Sequence, residues 1–400
     1  MTFIANRLGV VAPAETMEMA ARAAALRREG IDVISLSQGE PDFATPENVQ
    51  QAAIRAMREG KTRYTEAAGA LALREAVADK MGAHHALHYA PGDVTITAGA
   101  KQAIFNAFFA TLDEGDEVVI PAPCWVSYPE IVKLTGGVPV VVQCPRASGF
   151  KIMPEQLEAS ITPRTKWLMI NSPSNPTGAV YTRNELKGLG EVLLRHPNVW
   201  ILTDDIYEKL VYTDEPFSNI AQVVPELKAR TLVINGVSKI YSMTGWRIGY
   251  AVGPAELIKA MTLVQAQSTN NANAIAQYAA LEALTGDQTC VGQFREAFRN
   301  RRDFIVDSLS KVRGLSVDAP DGAFYVYVSC AQLLGRRTRQ GQVLETDRDL
   351  VRYLLDSANV AVVSGTGFLQ PGFFRASYAA GIETLEKACV RISGALESLA

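Results

Sequence analysis

Seven short runs constrain this chain more than anything else in it: Val94–Ala98, Glu117–Ile120, Val138–Val142, Lys166–Ile170, Val199–Thr203, Thr231–Ile234 and Ile248–Val252. Each is rich in β-branched residues and apolar nearly throughout. A strand with one wet face alternates polar and apolar positions, whereas a strand covered on both faces does not. Between several runs lie helices with readable ends. Thr45-Pro46 reads as an N-cap and first-turn proline, with Gly60 as the stop. Thr182 and Glu185 form a capping box that opens a helix to about Arg195. Strands alternating with helices predict an α/β fold, a sheet held between helical layers.

After about residue 285 the texture changes. Phe294, Phe298, Ile305, Leu309 and Val312 predict a long helix, followed by a strand over Gly322–Val328 and a polar loop over 335–341. A helix from Asp347, strands at Val360–Val363 and Phe373–Tyr378, and a terminal helix from Glu383 complete a smaller α+β unit. The expected organisation is an N-terminal segment over 1–45, a large domain over 46–285 and a small domain over 286–400. The N-terminal segment has no pattern of its own and is expected to pack on the small domain or reach a partner subunit.

Four hundred residues, 48% hydrophobic and 20% charged, suffice for two domains sharing a core. A net charge of −3 gives no reason to expect nucleic acid or an anionic membrane, which turns attention to a small-molecule ligand. Five scattered cysteines without a CxxC pair indicate a reducing compartment and no disulfide framework or structural zinc. The N-terminus lacks a signal-like apolar stretch and no run reaches membrane-spanning length, so a cytoplasmic protein is expected. His84, His85 and His88 form no HExxH motif; they are expected on a solvated helix end, and no metal site is expected. A dinucleotide fingerprint is missing, since Gly365-Thr-Gly367 lacks the third glycine.

Four constellations carry chemistry. In Thr97-Ala-Gly-Ala-Lys-Gln102 a strand turns into a helix over Gln102–Leu112 through small residues; this suits a phosphate on the helix N-terminus, and equally a tight packing turn. Asn171-Ser-Pro-Ser-Asn-Pro-Thr-Gly178 is a stiff loop that either aims Asn175 at a ligand oxygen or makes turn hydrogen bonds. Asp204 and Asp205 end a buried strand three residues before Tyr207, where α/β proteins gather ligand groups, or else cap the next helix. Lys239 and Arg247 stand between apolar runs, in a stretch that reads as buried. Either both are paired with carboxylates, or Lys239 is a nucleophilic amine and Arg247 an anion receptor.

Taken in order, these features match what pyridoxal phosphate requires. The chain resembles the fold type I aminotransferases, and among them the class I aspartate aminotransferase group of bacteria. The resemblance runs from about Pro13 to the last helix. It is carried by Gly39-Glu-Pro-Asp-Phe43, Pro123-Cys-Trp-Val-Ser-Tyr-Pro129, the 171–178 loop, Asp204-Asp-Ile-Tyr207, Ser238-Lys239 with Met243-Thr-Gly-Trp-Arg-Ile-Gly-Tyr250, and Phe374-Arg-Ala-Ser-Tyr378. It implies a large domain with a mostly parallel seven-stranded sheet between helices and a smaller α+β domain.

By the same resemblance, Lys239 holds pyridoxal phosphate and moves the substrate proton. Asp204 pairs with the ring nitrogen, and Tyr207 and Asn175 bind the ring oxygen. Gly99, Ala100, Lys101, Ser238 and Arg247 serve the phosphate, and Trp125 stacks on the ring. Arg375 clamps the substrate α-carboxylate, with Gly39 close by. Tyr64 would reach the cofactor phosphate of a neighbouring subunit, which implies a homodimer with shared sites. Substrates would be an amino acid and a 2-oxo acid in ping-pong transfer. Lys101 favours an acidic donor, aspartate above all, with 2-oxoglutarate, oxaloacetate or glyoxylate as acceptor. Prephenate or aromatic transamination and β-elimination are the alternatives. Gln38, Cys124 and the segment 268–273 depart from the family pattern and are expected to reshape the pocket.

Overall fold

A computed structural model describes residues 3–13 and 15–400; Met1, Thr2 and Ala14, part of the N-terminal segment expected over 1–45, lie outside the described residues. In chain order the strands are β1 Ile34–Ser35, β2 Val94–Thr97, β3 Glu117–Ala122, β4 Val138–Gln143, β5 Thr165–Asn171, β6 Trp200–Asp204, β7 Thr231–Gly236, β8 Gly249–Val252, β9 Ser316–Val317, β10 Tyr325–Ser329, β11 Val360–Ala361, β12 Val363–Ser364 and β13 Phe373–Ser377. The first four helices are α1 Glu15–Arg28, α2 Glu47–Arg58, α3 Leu71–His85 and α4 Ala100–Thr111.

All seven apolar runs enter one sheet, in the order β2-β8-β7-β6-β5-β3-β4. The strands β4, β3, β5, β6 and β7 are mutually parallel, and β8 runs antiparallel to both β7 and β2. Every residue of β2, β7 and β8 is buried, as strands covered on both faces must be. The sheet edge β4 is the exception, with Val138 and Gln143 exposed. Pro139 is tolerated there because an edge strand has a side that needs no ladder hydrogen bond.

β10, β13, β12 and β9 form a second, antiparallel sheet, while β1 pairs in parallel with β11 through Ile34↔Val360 and Ser35↔Ala361. Ala23, Val33, Leu355 and Ala361 pack together, which fastens α1 to the C-terminal part. Phe298, Phe324 and Phe374 belong to the same buried cluster as Ile96 and Tyr207 of the large sheet's layer. Each such side chain contributes about 1.5–3 kcal/mol on burial.

Several local expectations shift. Thr45 does not cap α2; Pro46 holds that position. The Thr45 hydroxyl instead donates to Ser242 O (2.8 Å) and accepts from Trp246 Nε1 (2.9 Å), so a tertiary contact outcompetes the cap. The capping box at Thr182 forms as expected, opening Arg183–Arg195. α4 begins at Ala100 rather than Gln102, which places Lys101 in its first turn. The strand expected over 360–363 splits in two, because Val360 and Ala361 pair with β1 while Val363 and Ser364 pair with β13. His85, expected on a solvated end, is buried and bonded to Glu208 (2.9 Å), which also meets Lys80. This ion cluster fastens α3 to the turn that follows Tyr207.

Candidate active site

The parallel strands end on one edge of the sheet, and β5, β6 and β7 each deliver a polar residue there. Asn171 ends β5 and Asp204 ends β6, directly opposite one another in the ladder. Ser238 and Lys239 follow β7. Because β8 runs the other way, Arg247, just before it, arrives at the same edge from the opposite direction. From the second sheet come Arg375 on β13 and Tyr325 on β10. Together they surround a cavity of about 400 Å³.

The cavity wall includes Gly39, Ala100, Lys101, Trp125, Asn175, Asp204, Tyr207, Ser238, Lys239, Arg247 and Arg375. Gly99 stands just behind it, and its geometry explains the glycine. Its φ is +86°, and a Cβ there would sit 2.2 Å from an Arg247 guanidinium nitrogen. Tyr64 lies outside the cavity and is 86% exposed.

Lys239 Nζ donates to Gly39 O (2.7 Å) and lies 5.9 Å from the Tyr207 ring centre. Burial, reinforced by the Arg247 charge and opposed by Asp204 and Glu40, pulls its ammonium down to about 8. The neutral, nucleophilic amine is therefore far more populated near neutrality than in an ordinary lysine. Arg247, expected buried, is exposed. Its guanidinium lies along the β2–α4 turn, donating to Ala98 O (3.2 Å) and Thr244 O (3.0 Å). Beside it the first turn of α4 offers N–H groups that have no intrahelical acceptor, a setting suited to an anion.

Asp204 is buried, accepting from the Tyr128 hydroxyl (2.6 Å) and from Ile206 N (3.3 Å). Burial raises its carboxyl; Tyr128, the Ile206 N–H and the Lys239 charge oppose the rise. Asp205 turns away from the cavity and accepts from Asn219 Nδ2 (2.7 Å). The neighbouring aspartates thus have separate environments, and Asp204 alone of the two faces the cavity.

Arg375 is 2% exposed. One terminal nitrogen donates to Asn175 Oδ1 (2.9 Å), the other to Ser37 O, and Nε has no partner among the described residues. The guanidinium lies over Tyr325 (4.4 Å) and Phe368 (5.0 Å), and burial lowers it with only tyrosines to oppose. A buried cation bonded to an amide and a carbonyl rather than a carboxylate is poised for a carboxylate ligand. At the other wall Lys101 Nζ lies 4.6 Å over the Trp125 ring, and Trp125 meets Tyr128 edge-on.

Among the lining residues that the sequence did not single out are Asn171, Tyr128 and Tyr325. Tyr128 stands three positions after Trp125, so first-turn spacing put both on one face and was a usable signal. Tyr325 had none, since Tyr325–Val328 looks like any buried strand. Of the departures expected to reshape the pocket, Gln38 lines it. Cys124 does not: it is 5% exposed, faces the packing behind Tyr128, and burial pushes its thiol up to about 12. The segment 268–273 also lies off the cavity wall, with Asn273 capping the helix Ala274–Thr285.

Comparison with known proteins agrees with this geometry. The family described as aminotransferase class I and II matches residues 31–392. An aspartate/prephenate aminotransferase of Cereibacter sphaeroides is 51% identical over 392 residues, 98% of both chains. An aspartate aminotransferase of Rhizobium meliloti is 48% identical, covering 99% of this chain and 96% of its own. The crystal structure of the Rhizobium meliloti aspartate aminotransferase superposes with a TM-score of 0.97 over 100% of both chains at 48% identity. The Thermus thermophilus aspartate aminotransferase with maleate gives 0.92 at 43% identity, over 99% of this chain and 100% of that one.

Proposed function

Because the chain belongs to the class I and II aminotransferases, we propose that it transfers the amino group of aspartate to a 2-oxo acid, with pyridoxal phosphate as the carrier. One observation carries the reading: a single cavity holds a lysine amine pulled down to about 8 together with a buried arginine bonded to no carboxylate among the described residues. The residues present fit the cofactor. Arg247, Ser238 and the first turn of α4 would hold its phosphate, and the close approach that only Gly99 permits forms the cradle. Asp204 would face the ring nitrogen, Tyr207 and Asn175 the ring oxygen, Trp125 the ring face, and Lys239 the aldehyde. When bound, pyridoxal phosphate supplies an aldehyde that carries the amino group and a protonated ring that accepts the electron pair left on the substrate α-carbon.

The chain's own residues do the rest. The two terminal nitrogens of Arg375 bind the α-carboxylate as a fork, which fixes the α-carbon beside Lys239. Lys239 Nζ, neutral near pH 8 and above, is the base that takes the α-proton. Asp204, oriented by Tyr128, holds a proton on the ring nitrogen; a cation there would also reverse the rise that burial imposes on its carboxyl. Lys101, beside Trp125 at the far wall, would attract a distal carboxylate, which favours aspartate. The acceptor is 2-oxoglutarate, with oxaloacetate and glyoxylate as smaller options. Prephenate is the second reading, favoured by the printed name of the Cereibacter relative.

The division at residues 45 and 285 is kept, and the β1–β11 pairing supports packing of the first segment on the C-terminal part. Also kept is a cytoplasmic homodimer in which the exposed Tyr64 serves the partner's cofactor. No helix among the described residues is long and apolar enough to cross a membrane.

The test is direct. The purified protein should be yellow, form oxaloacetate from aspartate and 2-oxoglutarate, and carry the borohydride-fixed cofactor on the peptide containing Lys239. A label on another lysine, or pyruvate and ammonia released without acceptor, sinks the proposal. A second outcome follows from the amine. Stripped of cofactor, the protein should take up added pyridoxal phosphate at a rate that rises with pH through about 8, because the neutral amine is the reacting form. Absorbance stopped-flow reads this; an inflection near the ordinary lysine value would contradict the depressed amine.

A further inference from the structure

We propose that Tyr325 is a positioning residue that ties the ring-oxygen donor Tyr207 to the carboxylate clamp Arg375, an inference that rests on the cofactor reading above. Its hydroxyl lies 2.7 Å from the Tyr207 hydroxyl. Its ring lies under the Arg375 guanidinium at 4.4 Å. A Cβ on residue 39 would come within 2.1 Å of its oxygen, so Gly39 is obliged to be glycine partly by Tyr325 itself. Three segments far apart in sequence therefore meet on one phenol.

The placement follows from the small sheet. Tyr327 is the residue opposite Arg375 in the β10–β13 ladder, and Tyr325, two positions before it, shares its face. Tyr325 is thus the diagonal neighbour of Arg375, within reach of a long side chain. It belongs to the C-terminal sheet, whereas Tyr207 follows a strand of the large sheet. Their hydrogen bond crosses the seam between the two sheets.

Proton counting sets its direction. A phenol has one proton. When Tyr207 donates to the ring oxygen of the cofactor, the 2.7 Å contact between the hydroxyls is a hydrogen bond only with Tyr325 as donor. Donation into Tyr207 polarises it and makes it a better donor in turn. A better donor drains negative charge from the ring oxygen, and that charge is what holds a proton on the nitrogen contributed by Lys239. Tyr325 therefore lowers the pH at which this proton leaves. The other charged or titratable groups that face the pair are Asp204, Lys239 and Arg375. At the same time the Tyr325 ring supports the Arg375 cation without taking a hydrogen bond from it, which leaves the second N–H of each terminal nitrogen for a ligand.

The test separates the two contributions. In wild-type protein the visible absorbance of the bound cofactor is titrated with pH, and succinate is titrated as a carboxylate probe. Tyr325→Phe keeps the ring and loses the hydroxyl; the absorbance midpoint should rise by about half a unit, a threefold gain in proton affinity, while succinate affinity stays within about twofold. In a Tyr207→Phe background the same change should add no further shift, as coupled residues behave. Tyr325→Leu removes the ring and should weaken succinate about tenfold. An unmoved or lowered midpoint in Tyr325→Phe, or an equal shift with Tyr207 absent, overturns the proposal even if Tyr325→Leu fails to fold. A wild-type protein with no titrating chromophore overturns the cofactor reading instead.

Discussion

Replacing Lys239 by alanine should slow transamination by about four orders of magnitude, the upper range for a general base, since in the proposed function the same residue would also be the covalent anchor. The fold should survive. Among the described residues the Lys239 amine makes one hydrogen bond, to Gly39 O, and burial already works against its charge. Taking it out removes a desolvated cation and leaves one carbonyl to be met by water, so the melting temperature should fall by no more than a few degrees. Steady-state rates with aspartate and 2-oxoglutarate, beside a thermal melt, check both halves. A variant that keeps a tenth of the wild-type rate would mean that another amine does the chemistry.

Neutralising Asp204 should be the second largest loss. Asp204→Asn preserves the side-chain shape and keeps an acceptor for Tyr128, but removes the charge that would face the ring nitrogen. Losing one partner of a buried charge pair costs about 3–5 kcal/mol, so kcat/KM should drop by about 10³-fold. Asp205→Asn is the informative control, because it differs by one position and faces the other way. Its carboxyl accepts from Asn219, and burial raises it well above the usual carboxylate range. That variant should change stability more than rate. If Asp205→Asn instead carried the larger loss in kcat/KM, the roles of the two aspartates would have to be exchanged.

The sheet was legible because its signal is local. A strand buried on both faces has to be apolar at every position, and all seven such runs became strands of one sheet. The site residues at strand ends were legible for a related reason: a charge directly after an apolar run is costly and stands out. Tyr325 was not legible, since its partners Gly39, Tyr207 and Arg375 come from three distant segments and a tyrosine in a strand is ordinary. Thr45 was misread because a cap needs the hydroxyl oxygen to accept a helix N–H, and Trp246 Nε1, from a distant segment, donates to it instead. Arg247 was expected inside because its neighbours in sequence are buried; a left-handed backbone at φ +56° turns it out of the run.

The parallel pairing of β1 with β11 has a consequence for how the protein is made. Ile34 leaves the ribosome early, yet its ladder partner Val360 is more than three hundred positions later. At about 5–20 residues per second, the segment that carries Gly39 waits some tens of seconds before its partner exists. Arg375 emerges later still. Lys239 and Asp204 are therefore synthesised well before Tyr325 and Arg375, which complete the cavity wall.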